Sequence, residues 1–207
     1  MDLKTVPDQY RLAFTRGEKA RFGGKQLRFS VVRAGTLHLP SGQIVACDPL
    51  VGHNREHFVQ AVLPGRYPVD LSLGHNARED VERIVFARIL FTKNRPVVWV
   101  RALRESEANR GEAENEPFGF LSTSGTAALM DNETAKLFHL DSVEEVDQIL
   151  DALVANYQPE RNWLNHPIDD RHNVILFSSS EGGNPSPSYF AIDEAGDVCL
   201  ALTKMVN

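Results

Sequence analysis

The residues of this chain whose types and spacing could do chemistry are histidines and aspartates. Gly52-His53-Asn54 and Gly74-His75-Asn76 repeat one tripeptide after two apolar stretches, and His57 follows the first by four positions. If His53 and His75 converged with Asp48 and Asp70, the four would line an Asp/His cleft. Such a cleft could move protons in a hydrolase-like reaction or hold a small ligand. Asp169, Asp170 and His172 form a second set nearer the C-terminus. A bound metal needs its ligands within ~2.0–2.2 Å of one ion, and no local spacing enforces that. His53 and His57 stand four apart with no strong helix to carry them. Gly-His-Asn is also ordinary turn chemistry, because Gly and Asn both accept left-handed backbone. The expectation is no metal and no cofactor. Asp48 before Pro49 has a plain structural reading too, as an Asx-type turn at a strand exit.

Two hydroxyl-rich stretches, Ser122-Thr-Ser-Gly-Thr126 and Ser178-Ser-Ser-Glu-Gly-Gly183, could hold an anion or a nucleophile. Neither fits the Gly-x-Ser-x-Gly elbow or the phosphate loop that ends in Gly-Lys. A serine without a positioned base is a weak nucleophile.

The elements that would position these residues read mainly as strands. Gly35 to Pro49 reads as a hairpin: Pro40-Ser41-Gly42 supplies the turn, Leu37, Leu39, Ile44 and Ala46 face inward, and Asp48-Pro49 is the stop. Residues 1–24 read as a peripheral segment with a short helix after Pro7, on which Tyr10 and Phe14 share a face. Tyr67 to Leu73 alternates strictly. Val81 to Thr92 is dense in β-branched and aromatic residues and is assigned to a strand. Leu27–Val32, which alternates apolar and polar residues and leads into the hairpin, Val97–Leu103, Phe118–Ser122, Asn173–Ser178, Ser188–Ile192 and Val198–Met205 complete the strands. Residues 104–117 read as a charged flexible loop. Asp131 can cap a helix over 133–140. Ser142-Val-Glu-Glu145 is a capping box opening the clearest helix, with Val143, Val146, Ile149, Leu150, Leu153 and Tyr157 on one face. Strands in runs and helices clustered between 131 and 158 predict one α+β domain over 1–207. It would be a mostly antiparallel, sandwich-like sheet with two or three helices. Leu37, Ile44, Val69, Leu71, Val98, Trp99, Phe177 and Leu200 are assigned to its core.

The chain has 207 residues, 42% hydrophobic and 24% charged, with a formal net charge of -6. That balance argues against a nucleic-acid groove, which needs clustered Lys and Arg. It suits a basic protein partner, and it also suits solubility alone. The two cysteines, Cys47 and Cys199, lie in predicted strands outside any Cys-x-x-Cys pair. They read as buried free thiols, with a disulfide as the alternative. No apolar run follows Met1 and none approaches the ~20 residues that span a bilayer, so a cytoplasmic, non-membrane protein is expected.

Acidic residues gather in two places. Glu144, Glu145, Asp147 and Asp151 lie on the polar side of the capped helix, and Glu105, Glu107, Glu112, Glu114 and Glu116 lie in the charged loop. With no catalytic motif, the preferred expectation is a non-enzymatic protein-binding domain of the immunity or antitoxin kind, docking a basic partner on Glu144, Glu145, Asp147 and Asp151. The alternative is the hydrolase-like or ligand-binding cleft of Asp48, Asp70, His53 and His75.

Four stretches carry a family resemblance: Gly35 to Pro49, Leu63 to Val69, Ser124 to Asp131, and Ser188 to Asp197. Together they are similar to a bacterial family described as domain of unknown function 4241. The resemblance implies a mostly β domain and names no activity. It also implies an acidic Gly-Asp-Gly-type loop before the closing hairpin, where this chain has Glu181-Gly-Gly-Asn-Pro-Ser-Pro187. That departure favours binding over catalysis.

Overall fold

The computed structural model describes residues 3–51, 55–109, 118–138, 140, 142–155, 162–179 and 185–205. In chain order the elements are α1 (Val6–Ala13), β1 (Lys19–Phe22), β2 (Lys25–Leu39), β3 (Ile44–Cys47), β4 (Gly65–Asn76), β5 (Val81–Leu90), β6 (Val98–Arg101) and the one-turn α2 (Glu105–Ala108). They continue with β7 (Phe120–Leu121), β8 (Thr126–Asp131), α3 (Asn132–Leu137), α4 (Val143–Ala155), β9 (Trp163–Pro167), β10 (Asn173–Ser178), β11 (Pro185–Ser186), β12 (Ser188–Ile192) and β13 (Val198–Lys204). A seven-stranded sheet runs β1-β2-β4-β5-β13-β12-β6, and a four-stranded sheet runs β3-β8-β10-β9. Among the described residues every strand pairing is antiparallel. This is the α+β, largely antiparallel architecture that the order of strands and helices predicts.

The two sheets share an apolar interior. Leu37, Val69 and Leu71 from the large sheet meet Ile44, Leu129, Ile175 and Phe177 from the small one. The outer faces are covered as well. α1 lies over the large sheet, where Val6 and Ala13 join Phe29, Phe86, Tyr189 and Leu200. α3 and α4 lie over the small sheet, where Ala135, Phe138, Ile149 and Leu153 join Val45, Met130, Val174 and Leu176. β10 is therefore buried on both faces, which explains why its sequence is a continuous apolar run rather than an alternation.

The Gly35 to Pro49 stretch is not a paired hairpin. The turn at Pro40-Ser41-Gly42 reverses the chain but hands it from one sheet to the other: β2 pairs with β4, and β3 pairs with β8. Two side chains account for this. The amide of Asn173 takes the strand edge that a hairpin partner would use, accepting from His38 N (2.8 Å) and donating to Thr36 O (2.8 Å). The buried Asp131 carboxylate accepts from Ser41 N and Oγ, at 3.1 and 2.8 Å, and so draws the turn onto the end of β8. Gly42 has φ +73°, and a Cβ there would fall 2.0 Å from Val62 O.

Two further expectations are corrected. The N-terminal segment, read as peripheral, seals the second apolar layer: Val6 and Ala13 are fully buried. Tyr10 stacks on Trp99 at 5.2 Å, and Ser72 Oγ donates to Ala13 O at 2.6 Å. The core assigned to one place is divided. Leu200 and Trp99 belong to the α1 side, and Val98 is half exposed because β6 is a sheet edge. At the start of the segment read as a charged flexible loop, residues 104–109 contain the one-turn α2, in which Glu107 accepts from Arg104 N and Gly119 N. Residues 110–117 lie outside the described residues. Both cysteines are free and buried, and burial pushes the Cys47 thiol up to about 12. Among the described residues no helix is long and apolar enough to cross a membrane.

Candidate functional site

The Asp/His cleft does not assemble among the described residues. Asp48, at the exit of β3, accepts from Leu50 N (3.0 Å), Ser124 N (2.8 Å) and Ser124 Oγ (2.6 Å). It forms the expected Asx turn and also pins the loop before β8. Asp70 lies on the opposite side of the large sheet, facing α1. There it accepts from Arg33 Nε (2.5 Å) and from Arg88 Nε and Nη2 (3.1 and 2.9 Å). The Arg88 guanidinium continues to Tyr10 Oη (2.9 Å) and lies over the Phe14 ring at 4.2 Å. Burial raises the Tyr10 pKa, and Arg88 partly offsets that. His75, at the far end of β4, stands 3.9 Å from the exposed Asp80. His53 lies outside the described residues. Asp48 and Asp70 thus belong to different sheets and face different layers, and each satisfies a local structural demand.

The second histidine set does come together. His172 Nδ1 lies 2.8 Å from both oxygens of Asp169, and its Nε2 lies 3.6 Å from Glu133 Oε2 at the start of α3. Hydrogen bonds, first from the His172 ring and then from Arg171 N, hold the Asp169 carboxyl below its usual range. His38 is nearby, and its pKa is lowered first by burial and then by Arg66. Asp170 gives only its backbone carbonyl, to Arg66. Among the described residues, no three His, Cys, Asp or Glu side chains are placed to hold a metal ion. In the hydroxyl-rich stretches Ser122 Oγ and Ser179 Oγ lie 2.5 Å apart and Ser124 is bound to Asp48, and residues 180–183 lie outside the described residues.

The acidic helix is the surface feature that folding explains least. Its capping box forms as expected: Ser142 Oγ accepts from Glu145 N, and Glu145 Oε2 accepts from Ser142 N, both at 3.1 Å. Glu145 therefore has a local task, whereas Glu144, Asp147 and Asp151 line the exposed crest. Only Ile149 and Leu153 are buried against the small sheet. Val143 is 72% exposed, Val154 62% and Leu150 37%. These three apolar side chains lie along the flank of the crest, spaced at helical repeats. α4 carries no Lys or Arg to balance its acids. Acids in the first turn favour the helix dipole, but Asp151, near the C-terminal end, does not.

The exposed apolar flank departs from the sequence expectation, which puts Val143 and Leu150 on one apolar face with Ile149 and Leu153. The available signal is the width of the arc. Val143, Val146, Ile149, Leu150, Leu153 and Val154 cover more of the helical wheel than the ~100° stripe one packing face needs. On the other flank, a groove of about 230 Å³ opens between α3, α4 and β9, lined by Leu137, Phe138, Leu140, Ile149, His166 and Ile168 with Glu145 and Gln148 on its α4 side.

A family model described as a protein of unknown function, DUF4241, matches residues 37–203. Comparisons with curated proteins and with solved structures give no match.

Proposed function

The chain belongs to the DUF4241 family, and from that premise we propose that it is a non-enzymatic protein-binding domain whose docking element is α4. The observation that carries this reading is the exposed row Val143, Leu150 and Val154 beside the uncompensated crest Glu144, Asp147 and Asp151. An interface of this form excludes water over its apolar part and reads charge at its rim. The matching partner is a protein with an apolar ridge bordered by Lys or Arg, steered to the crest over the ~8 Å screening length of physiological salt. A neutraliser of the immunity or antitoxin kind, acting in the cytoplasm on a basic partner, is the biological form that fits an acidic docking face.

The test compares the wild-type protein with Glu144→Lys/Asp147→Lys/Asp151→Lys as bait, leaving Glu145 in its capping box. The expected partner is retained by wild type, released by raised salt and lost from the triple variant. Proteins retained equally by both baits, with no salt dependence, would remove α4 as the docking element.

A further inference from the structure

We propose that the groove between α3, α4 and β9 receives one apolar anchor side chain of a protein partner, with a lysine or arginine beside that anchor in the partner's sequence. The proposal rests on α4 being the docking element and names what the partner must carry. Phe138, Leu140, Ile149 and Ile168 give the groove an apolar lining, Leu137 and His166 stand at its walls, and Glu145 and Gln148 lie on its α4 side. Leu137 is half exposed, so the lip of the groove presents apolar surface to solvent. Burial holds the His166 imidazole below the usual histidine range, which keeps that wall uncharged at neutral pH.

Size separates the possible occupants. Cofactors and drug-sized ligands fill pockets of ~300–1,000 Å³. At about 230 Å³ this groove falls below that range. It suits a single leucine, methionine or phenylalanine, the way a buried anchor seats at the centre of a protein interface. Charge then selects the neighbour of the anchor. The segments framing the groove carry Glu133, Glu144, Glu145, Asp147, Asp151, Asp169 and Asp170 against Lys136 and Arg171, and Arg55 lies over the Phe138 ring at 5.2 Å, so the balance around the groove stays acidic. A cation next to the anchor gains from that field, and an acidic neighbour is repelled.

The experiment selects displayed random peptides on the full-length protein and measures the enriched peptides, synthesised individually, against two variants. Gln148→Trp lays an indole across the groove from an exposed helical position. Glu144→Lys/Asp147→Lys/Asp151→Lys reverses the crest and leaves the groove lining intact. The expected peptides share one large apolar residue with Lys or Arg close by, and lose about tenfold or more in affinity on Gln148→Trp. Peptides that bind Gln148→Trp like wild type but fail on the crest variant overturn the groove and leave α4 as the docking element. Peptides indifferent to both variants, or no enrichment over an unrelated protein, overturn both readings.

Discussion

Replacing Asp70 with alanine removes the carboxylate that Arg33 and Arg88 share beneath α1. The Asp70 side chain is 7% exposed and Arg88 17%, whereas Arg33 is 55% exposed. Arg33 can therefore return to water at small cost, while Arg88 is left as a buried charge without its counterion. Breaking a buried pair from one side costs ~3–5 kcal/mol. Arg88 keeps its bond to Tyr10 Oη and its place over the Phe14 ring, so the lower end, ~3 kcal/mol, applies here. For urea unfolding with m near ~3 kcal/mol/M, the midpoint falls by ~1 M or more with the slope unchanged. The double variant Asp70→Leu/Arg88→Met removes both charges and should recover most of the loss. Hydrogen exchange adds a local readout: the α1 amides of Asp70→Ala should lose protection before those of β10, since α1 packs on this network through Arg88 and β10 does not touch it. A stability within ~0.5 kcal/mol of wild type, with no recovery in the double variant, would refute the structural reading. Asp70 would then again be available for a chemical role.

Three other outcomes follow from the packing and the polar contacts. Leu71→Ala, at a fully buried position between the sheets, should cost ~2–5 kcal/mol in chemical denaturation, while Val98→Ala on the exposed sheet edge stays within ~0.5 kcal/mol. Gly42→Ala places a Cβ against Val62 O at positive φ and should destabilise by more than ~1 kcal/mol, read as a lower thermal midpoint. Asp169 titrates below its ordinary value of ~3.9, so the stability it contributes is complete above that pH and is lost as pH falls through the depressed folded-state value. Asp169→Asn should therefore be less stable than wild type at neutral pH, and the two unfolding curves should converge in acid. A difference that persists unchanged to the lowest pH would assign the effect to the turn rather than to the charge.

Most of the strands and the main helices follow from local signals, whereas the edge strands β1 and β9 are not assigned from the sequence. The alternation in Tyr67 to Leu73 specifies β4, the Ser142 and Glu145 pair specifies the start of α4, and the Asp193 to Asp197 turn specifies the closing β12–β13 hairpin. In each case the controlling partners are within a few residues, so pattern and turn chemistry suffice. The same holds for Asp48, whose turn to Leu50 N is local. Its second bond, to Ser124, spans 76 residues and is set by the tertiary fold alone. Long-range partners decided where sequence reading diverged from the fold. The Pro40 turn looks like a hairpin until Asn173, 135 residues on, occupies the edge at His38 and Asp131 takes Ser41. Residues 1–24 look peripheral until Arg88 and Asp70 supply the polar anchor for α1 and Phe86 the apolar one. The acids of α4 are legible because charge is a property of residue type. Which of its apolar side chains remain in water is not legible, because that depends on how much of the helix the small sheet can cover. Ile149 and Leu153 meet β-sheet side chains, whereas Val143, Leu150 and Val154 lie beyond its reach.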